Sequence, residues 1–334
     1  MPVNYQPNRV LFMTILITGV AGFIGSNLAR KFLVQGKSVL GLDNLCRGSL
    51  ANIADLQTHP GFTFGQVELN DLTTYQQWVS SYVKKTATDI TEVWHLAANS
   101  DIPAGIDDAN IDLRDTFMTT FNTLEVMKQH QIPVIAFASS SAVYGDLSNV
   151  LLTEDIGPLF PISNYGAMKL ASEALISASV EAFLDKAYIY RFPNVIGTPA
   201  THGVILDFIH KLQKTPKHLE VLGNGSQRKG YLHIEDLIDA MLTIQKLAQE
   251  PVNYFNIGAG DEGIYIRDIA QIVVEAISPK AVISYGDSEK GWVGDVPRFQ
   301  YSIDKLKALG WKPKLNSAQA VRLAVEQILA EQSR

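Results

Sequence analysis

A single cysteine, Cys46, in 334 residues excludes an internal disulfide and any cysteine-based zinc cluster, and it fits a reducing, cytoplasmic setting. Charge is sparse as well. Only 19% of residues are Asp, Glu, Lys or Arg, no Lys/Arg run occurs, and the net charge is −6. That balance excludes a protein built to grip a phosphate backbone, so no nucleic-acid partner is expected. Internal repeats, low-complexity tracts, a Ser/His/Asp arrangement and a nucleophile-elbow pattern are all missing, and no metal site is expected. The one long uncharged run, residues 10–29, has the length of a membrane span. Gly19, Gly22 and Gly25, with Ser26 and Asn27, interrupt it where a strand-to-helix turn belongs, so neither export nor membrane insertion is expected. Residues 1–12 read as a polar extension, with Met13 as an alternative start.

What is present is an alternation. Short apolar runs at 14–18, 38–42, 62–64, 92–97, 134–138 and 188–191 alternate with amphipathic stretches at 22–35, 73–85, 111–130 and 164–184. Strands alternating with helices predict βαβ units and an α/β fold, a Rossmann-type doubly wound parallel sheet. After Arg191 the pattern loosens into Pro- and Gly-rich loops around short elements. This predicts a smaller α/β C-terminal substrate lobe over the carboxyl edge of the sheet, where open α/β sheets bind ligands. The expected division is a dinucleotide-binding domain at 13–190 with a returning segment near 232–257, and a substrate lobe at 191–231 and 258–334.

Gly19-Val-Ala-Gly22-Phe23-Ile24-Gly25 follows the first strand and opens a helix. Glycines there permit a tight turn and let a pyrophosphate approach the free N–H groups of a helix N-terminus. Asp43 ends the next strand, 24 residues past Gly19. A carboxylate at that place accepts hydrogen bonds from both ribose hydroxyls and repels a 2′-phosphate, so NAD is expected over NADP, although Arg47 lies close by. Asn44 follows Asp43. Asp71 and Leu72, after the third strand, suit either an adenine edge or, for Asp71, a helix N-cap. His95-Leu-Ala97-Ala98 ends the fourth strand with small residues against which a flat cofactor can pack; His95 reads as a buried structural residue.

Tyr165 and Lys169 stand four apart on a helix and share a face. A Tyr hydroxyl titrates near pH 10, and base chemistry near neutrality needs roughly three units less, or about 4 kcal/mol. One ammonium at about 4 Å with an effective dielectric of about 20 supplies about that much. Ser139, Ser140 and Ser141 end the fifth strand and face the same crevice, where one hydroxyl can relay a proton to Tyr165.

Together with Arg191-Phe-Pro193-Asn194-Val-Ile-Gly and Gly294-Asp295, these motifs resemble the extended short-chain dehydrogenase/reductase family, most of all its nucleotide-sugar epimerases, typified by UDP-glucose 4-epimerase. The resemblance runs from about residue 13 to about 330. It implies that Tyr165 takes a proton from a sugar 4-hydroxyl while C4 passes hydride to NAD⁺, that Lys169 lowers the pKa of Tyr165 and holds the nicotinamide ribose, and that Ser140, with Ser141 as second choice, is the catalytic hydroxyl. It places Pro193 at the cofactor, and Ser141, Asn194, Val204, Gln227, Lys229, Asp295 and Phe299 at a nucleotide-sugar substrate, most simply a UDP-linked one. Related 4,6-dehydratases follow their catalytic Thr with Asp-Glu, uronic-acid decarboxylases carry a Glu in that loop, and GDP-fucose synthases use a Cys beside the Ser. Here Ser141-Ala142 follows Ser140, and Cys46 lies at the ribose end. The resemblance thus leaves 4-epimerisation or simple oxidoreduction at C4, with a non-catalytic NAD-binding scaffold as a third reading.

The sequence departs from the family at the diphosphate. Lys229 stands where an Arg usually sits, and Trp292 replaces a second Arg; a Lys cannot make the planar bidentate contact of an Arg. Arg228, Lys290 or Arg298 could compensate, and Trp292 could stack on a base or cover the pocket. Phe299 narrows the sugar pocket and disfavours N-acetylhexosamines. Thr116 replaces an Asn near the cofactor. The family also implies a homodimer, with the helices at 111–130 and 164–184 pairing into a four-helix interface.

Overall fold

The first strand, β1 (Thr14–Thr18), is buried along its whole length. Its side chains alternate between two cores: Ile15 and Ile17 face one, Leu16 the other. That double burial requires helices on both sides, and the rest of the chain supplies them. The structure is a computed structural model and describes residues 13–147, 150–288 and 300–333.

Six further strands complete the central sheet: β2 (Ser38–Asp43), β3 (Phe62–Gln66), β4 (Ile90–His95), β5 (Val134–Ala138), β6 (Lys186–Arg191) and β7 (Val252–Asn256). All neighbours pair in parallel, in the order β7-β6-β5-β4-β1-β2-β3. The order reverses between β1 and β4, which opens a crevice at their carboxyl ends. Helices α1 (Phe23–Val34) and α8 (Ile234–Leu247) cover one face. Helices α2 (Leu72–Thr86), α5 (Thr119–Gln129) and α6 (Asn164–Ala182) cover the other.

The helix expected at 111–130 is not one regular α-helix. It runs as α4 (Ala109–Asp112), a π-helical segment at Leu113–Met118, and α5. The threonines explain the widening. Thr119 Oγ1 donates to the carbonyls of Asp115 and Thr116 at 3.1 Å each, and Thr120 Oγ1 donates to Thr116 O at 3.0 Å. Hydroxyls competing for backbone carbonyls loosen the regular ladder.

A third core belongs to the smaller lobe. There α7 (Val204–Lys214), α9 (Ile266–Ile277) and α11 (Ser317–Gln332) bring Phe208, Ile209, Ile269, Val273, Val321 and Val325 together. Between these helices the chain returns to the sheet as α8 and β7. Asn194–Ile196 pairs in parallel with Tyr231–His233, which fixes the lobe over the carboxyl ends of β5 and β6.

Candidate active site

Two cavities, of about 680 and about 400 Å³, meet over the carboxyl ends of the strands. The larger begins at the turn between β1 and α1. Gly19 has φ of +70°, and a Cβ there would lie 2.9 Å from Ala97 N. A Cβ on Gly25 would lie 2.2 Å from Gly19 O, which is backbone and cannot yield. Helix α1 has neither a side-chain cap nor an acid in its first turn, so its leading N–H groups are left for an anion. Asp43 stands on the cavity wall, its two oxygens accepting from Ala21 N (2.9 Å) and Leu45 N (2.8 Å). Burial pushes its carboxyl up and those two amides pull it back. Arg47, which lines the same cavity, is held by Asp101 at 3.1 Å, so its charge is partly spoken for. A glycine cradle, an open helix N-terminus and a fixed acid at the second strand are what a dinucleotide without a 2′-phosphate requires.

Of the residues expected at the cofactor, Gly19, Gly22, Phe23, Ile24, Gly25, Asp43, Asn44, Ala97 and Ala98 line this cavity. Asp71 and Leu72 do not. Asp71 is the N-cap of α2, accepting from Thr74 N at 3.1 Å and Thr74 Oγ1 at 2.6 Å. Leu72 packs against the core, and Glu68 and Leu69 line the wall instead. His95 is buried and satisfied, with Thr18 Oγ1 at 2.7 Å and Thr120 Oγ1 at 3.2 Å; burial lowers its pKa to about 3, so it is neutral.

The smaller cavity holds the hydroxyls expected to move a proton. Ser140 leaves β5 and caps a short 3₁₀ turn, Ser141–Tyr144, through Ala142 N at 3.2 Å. Ser163 caps α6 through Gly166 N at 3.1 Å, which sets Tyr165 in the first turn. The Ser140 hydroxyl lies near enough to the Tyr165 phenol to pull its pKa down. Ser140, Ser141, Tyr165, Lys169, Pro193, Asn194, Val204 and Lys229 all line this cavity. Gln227 is buried outside it, and its Oε1 has no hydrogen-bond partner among the described residues. Asp295 and Phe299, with Lys290, Trp292, Gly294 and Arg298, lie outside the described residues. Arg228 binds Glu262 and Gly263 O, so it does not supplement Lys229 at the cavity.

The expected lowering of the Tyr165 pKa by Lys169 is opposed by burial. Burial pushes the phenol up to about 12; the Ser140 hydroxyl opposes that shift and Asp112 adds to it. The i, i+4 stack puts Lys169 Nζ over the Tyr165 ring, 5.8 Å from its centroid, rather than at the hydroxyl. The ammonium instead donates to Ala138 O at 2.6 Å and sits 4.6 Å from the Phe137 centroid. Burial brings Lys169 down to about 7 against the pull of Glu173 and Asp112.

Several residues at the site carried no sequence signal. Asn99, Ser100, Thr201 and His202 line both cavities at their junction. Behind Ser140, Ser139 Oγ donates to Glu173, which is bound bidentately by Arg191 with its shortest contact at 2.6 Å. Arg191 also donates to Tyr144 Oη at 3.0 Å, and Tyr144 donates to Asn256 at 2.7 Å. This buried network ties β5, β6, α6 and β7 together behind Ser140 and Tyr165. Glu173, one turn past Lys169, is its visible mark in the sequence.

Residues 15–258 match the model of the NAD dependent epimerase/dehydratase family. A crystal structure of a UDP-galactose 4-epimerase is 33% identical, covers 96% of this chain and 99% of its own, and superposes with a TM-score of 0.81. The UDP-glucose 4-epimerase of Thermus thermophilus, solved in complex with NAD, is 28% identical over 95% of this chain and 99% of its own, with a TM-score of 0.80. The UDP-glucuronate 4-epimerase of Thermodesulfobacterium geofontis is 27% identical over 93% of this chain and 94% of its own.

Proposed function

This chain belongs to the NAD dependent epimerase/dehydratase family, and from that premise we propose that it is a nucleotide-sugar 4-epimerase acting on a UDP-linked hexose. The glycine cradle and Asp43 would hold NAD, which would supply the acceptor for one hydride from the sugar and its return. Tyr165 takes the proton of the 4-hydroxyl, with Ser140 bonded to both oxygens in turn, and a 4-keto sugar results. Lys169 holds the nicotinamide ribose. The walls given by Leu152, Ile162, Phe192 and Val195 are apolar, so they offer the ketone few anchors and leave it able to turn its other face. Tyr165 then returns the proton.

The observation that carries this reading is that Ser140, Tyr165 and Lys169 line one cavity, and that this cavity meets the one lined by the glycine turn and Asp43. That Ser141 and Ala142, rather than acids, follow Ser140 supports epimerisation over elimination, because nothing there can protonate a leaving hydroxyl at C6. Lys229 and Asn194 are assigned to the diphosphate. Incubation with UDP-glucose, UDP-glucuronate and GDP-mannose, followed by NMR, tests the proposal: a C4 epimer without net NADH is expected, and no epimer from any of them overturns it. A stoichiometric change at 340 nm would make the protein a 4-ketoreductase or 4-dehydrogenase, which the same Ser140–Tyr165 pair can serve. Tyr165→Phe separates both from a non-catalytic scaffold, since it should abolish turnover and leave NAD binding intact.

A homodimer is part of the proposal. Leu113 and Phe121, on the helical stretch assigned to the interface, are 45% and 37% exposed as apolar side chains. Light scattering at low concentration should give twice the mass of 36.7 kDa.

A further inference from the structure

Two loops flank the glycine turn, and one ion pair joins them across it. β2 and β4 lie on either side of β1 in the sheet, so their ends are two strand spacings apart, about 10 Å. Arg47 follows the end of β2 by four residues and Asp101 follows the end of β4 by six. Arg47 Nη1 donates to Asp101 Oδ2 at 3.1 Å. Both residues line the cofactor cavity with Gly19, Gly22 and Asp43. The pair therefore crosses the carboxyl end of β1, the side on which open α/β sheets take their ligands. Arg114 lines the same cavity but is bound to its neighbour Asp115 at 2.6 Å, so its charge stays on one side.

Both ends of the pair are fastened to structure behind them. Asn99 Nδ2 donates to Asp101 O and to Asp112 Oδ1 at 2.9 Å each, and Asn99 Oδ1 accepts from Asp101 N at 2.9 Å. Asn99 and Asp112 are buried, so the backbone of Asp101 is held from inside the fold. Asp101 Oδ1 caps the helix Ile102–Asp107 through Ala104 N at 3.2 Å, which leaves Oδ2 for Arg47. On the other side, Ser49 N and Asn52 Nδ2 donate to Ala21 O at 3.0 and 2.8 Å. They fasten the loop that carries Arg47 to the glycine turn itself. The moving part is the Arg47 side chain, and exposed side chains change rotamer within nanoseconds. Opening that fast makes passage through the crevice proportional to the fraction of time the pair is open.

The geometry points to a clasp: Arg47 and Asp101 close over the dinucleotide crevice and hold NAD there through the reaction. This rests on the proposed epimerase reading, in which the reduced cofactor must stay until it has given its hydride back. A clasp bonded to itself, and not to the cofactor, is the same bond before binding and after release. It slows entry and exit by one factor and leaves the affinity where it was. A direct contact with the cofactor would change the affinity instead. The two side chains are 46% and 37% exposed, a setting in which an ion pair is worth up to about a fivefold factor.

The test is NAD exchange by the full-length protein. Release is timed by diluting protein loaded with radiolabelled NAD into excess unlabelled NAD, and association by stopped-flow quenching of protein fluorescence. The variants are Asp101→Asn, which keeps a helix cap, Arg47→Met, which keeps the apolar stem, and the two combined. Each single variant should speed both release and association by about fivefold, with the dissociation constant held within about twofold and the double variant no faster than either. Wild-type rates in the single variants overturn the proposal, and so does a double variant in which the two effects multiply. A changed affinity also overturns it, whether confined to Arg47→Met or shared by both. Should Asp101→Asn melt early, Arg47→Met alone decides between these outcomes. Exchange is read without turnover. A protein that shows these rates and yields no epimer would lose the proposed substrate chemistry and keep the clasp.

Discussion

The two cavities are built from different materials. The cofactor cavity is walled by backbone: a turn of three glycines, the free end of α1, and Asp43 clamped by two amides. The substrate cavity is walled by side chains from the loops after β5 and β6 and from the smaller lobe, with Lys229 as the cation at its proposed nucleotide end. Backbone walls tolerate almost no change and accept one ligand. Side-chain walls can be exchanged one residue at a time, and Lys229, a departure from the family pattern, stands in this one.

The largest effect is expected where the walls meet. Tyr165→Phe should lower kcat by roughly 10³-fold, with NAD affinity measured by fluorescence titration unchanged; retained turnover would remove Tyr165 from the chemistry. Next comes the backbone wall. Gly25→Ala drives a Cβ to 2.2 Å from Gly19 O and should cost about 1–3 kcal/mol of stability together with NAD binding. A normal melting curve and normal NAD affinity would mean that the turn yields more than its geometry allows. On the side-chain wall, Lys229→Ala should raise KM for the nucleotide sugar by about tenfold with little change in kcat, as expected when a single point charge leaves a diphosphate. A large kcat effect would place Lys229 nearer the chemistry than the diphosphate.

The last prediction concerns a residue that belongs to the sheet rather than to either wall. His95 titrates at about 3 in the fold, against 6.5 for a free side chain, because it is buried without charge. The unfolded chain therefore binds a proton between those values that the folded chain refuses. The stability His95 contributes is present above about pH 6.5 and is lost as pH falls toward about 3. Urea midpoints measured across that window should decline, and His95→Asn should flatten the decline.

Much of this was legible in the chain. The strands at 14–18 and 134–138, the glycine turn and Asp43 each follow from local rules: side-chain alternation, the torsional freedom of glycine and the spacing of one βαβ unit. Ser140 and Tyr165 could be paired because each sits at a fixed offset from an element end, a serine cap in both cases. Asp71 was ambiguous because an N-cap and an adenine contact ask for the same residue at the same place. Asn99 and His202 gave no signal, since what makes them site residues is the meeting of loops about a hundred positions apart. The π-helical segment was hidden because threonines at 119 and 120 satisfy a helical pattern while their hydroxyls compete for its carbonyls.

The parallel sheet, the place of the dinucleotide and the proximity of Ser140, Tyr165 and Lys169 are written in the chain, because each depends on short-range geometry that residue type and spacing encode. The electrostatics of the Tyr165–Lys169 pair are not. Spacing alone set a Lys beside a Tyr, and a simple Coulomb term had it lowering the phenol. The fold turns the ammonium to Ala138 O, buries the phenol and brings up Asp112 and Glu173. A pKa depends on every charge and every solvent molecule near the group, and those are set by how distant segments pack.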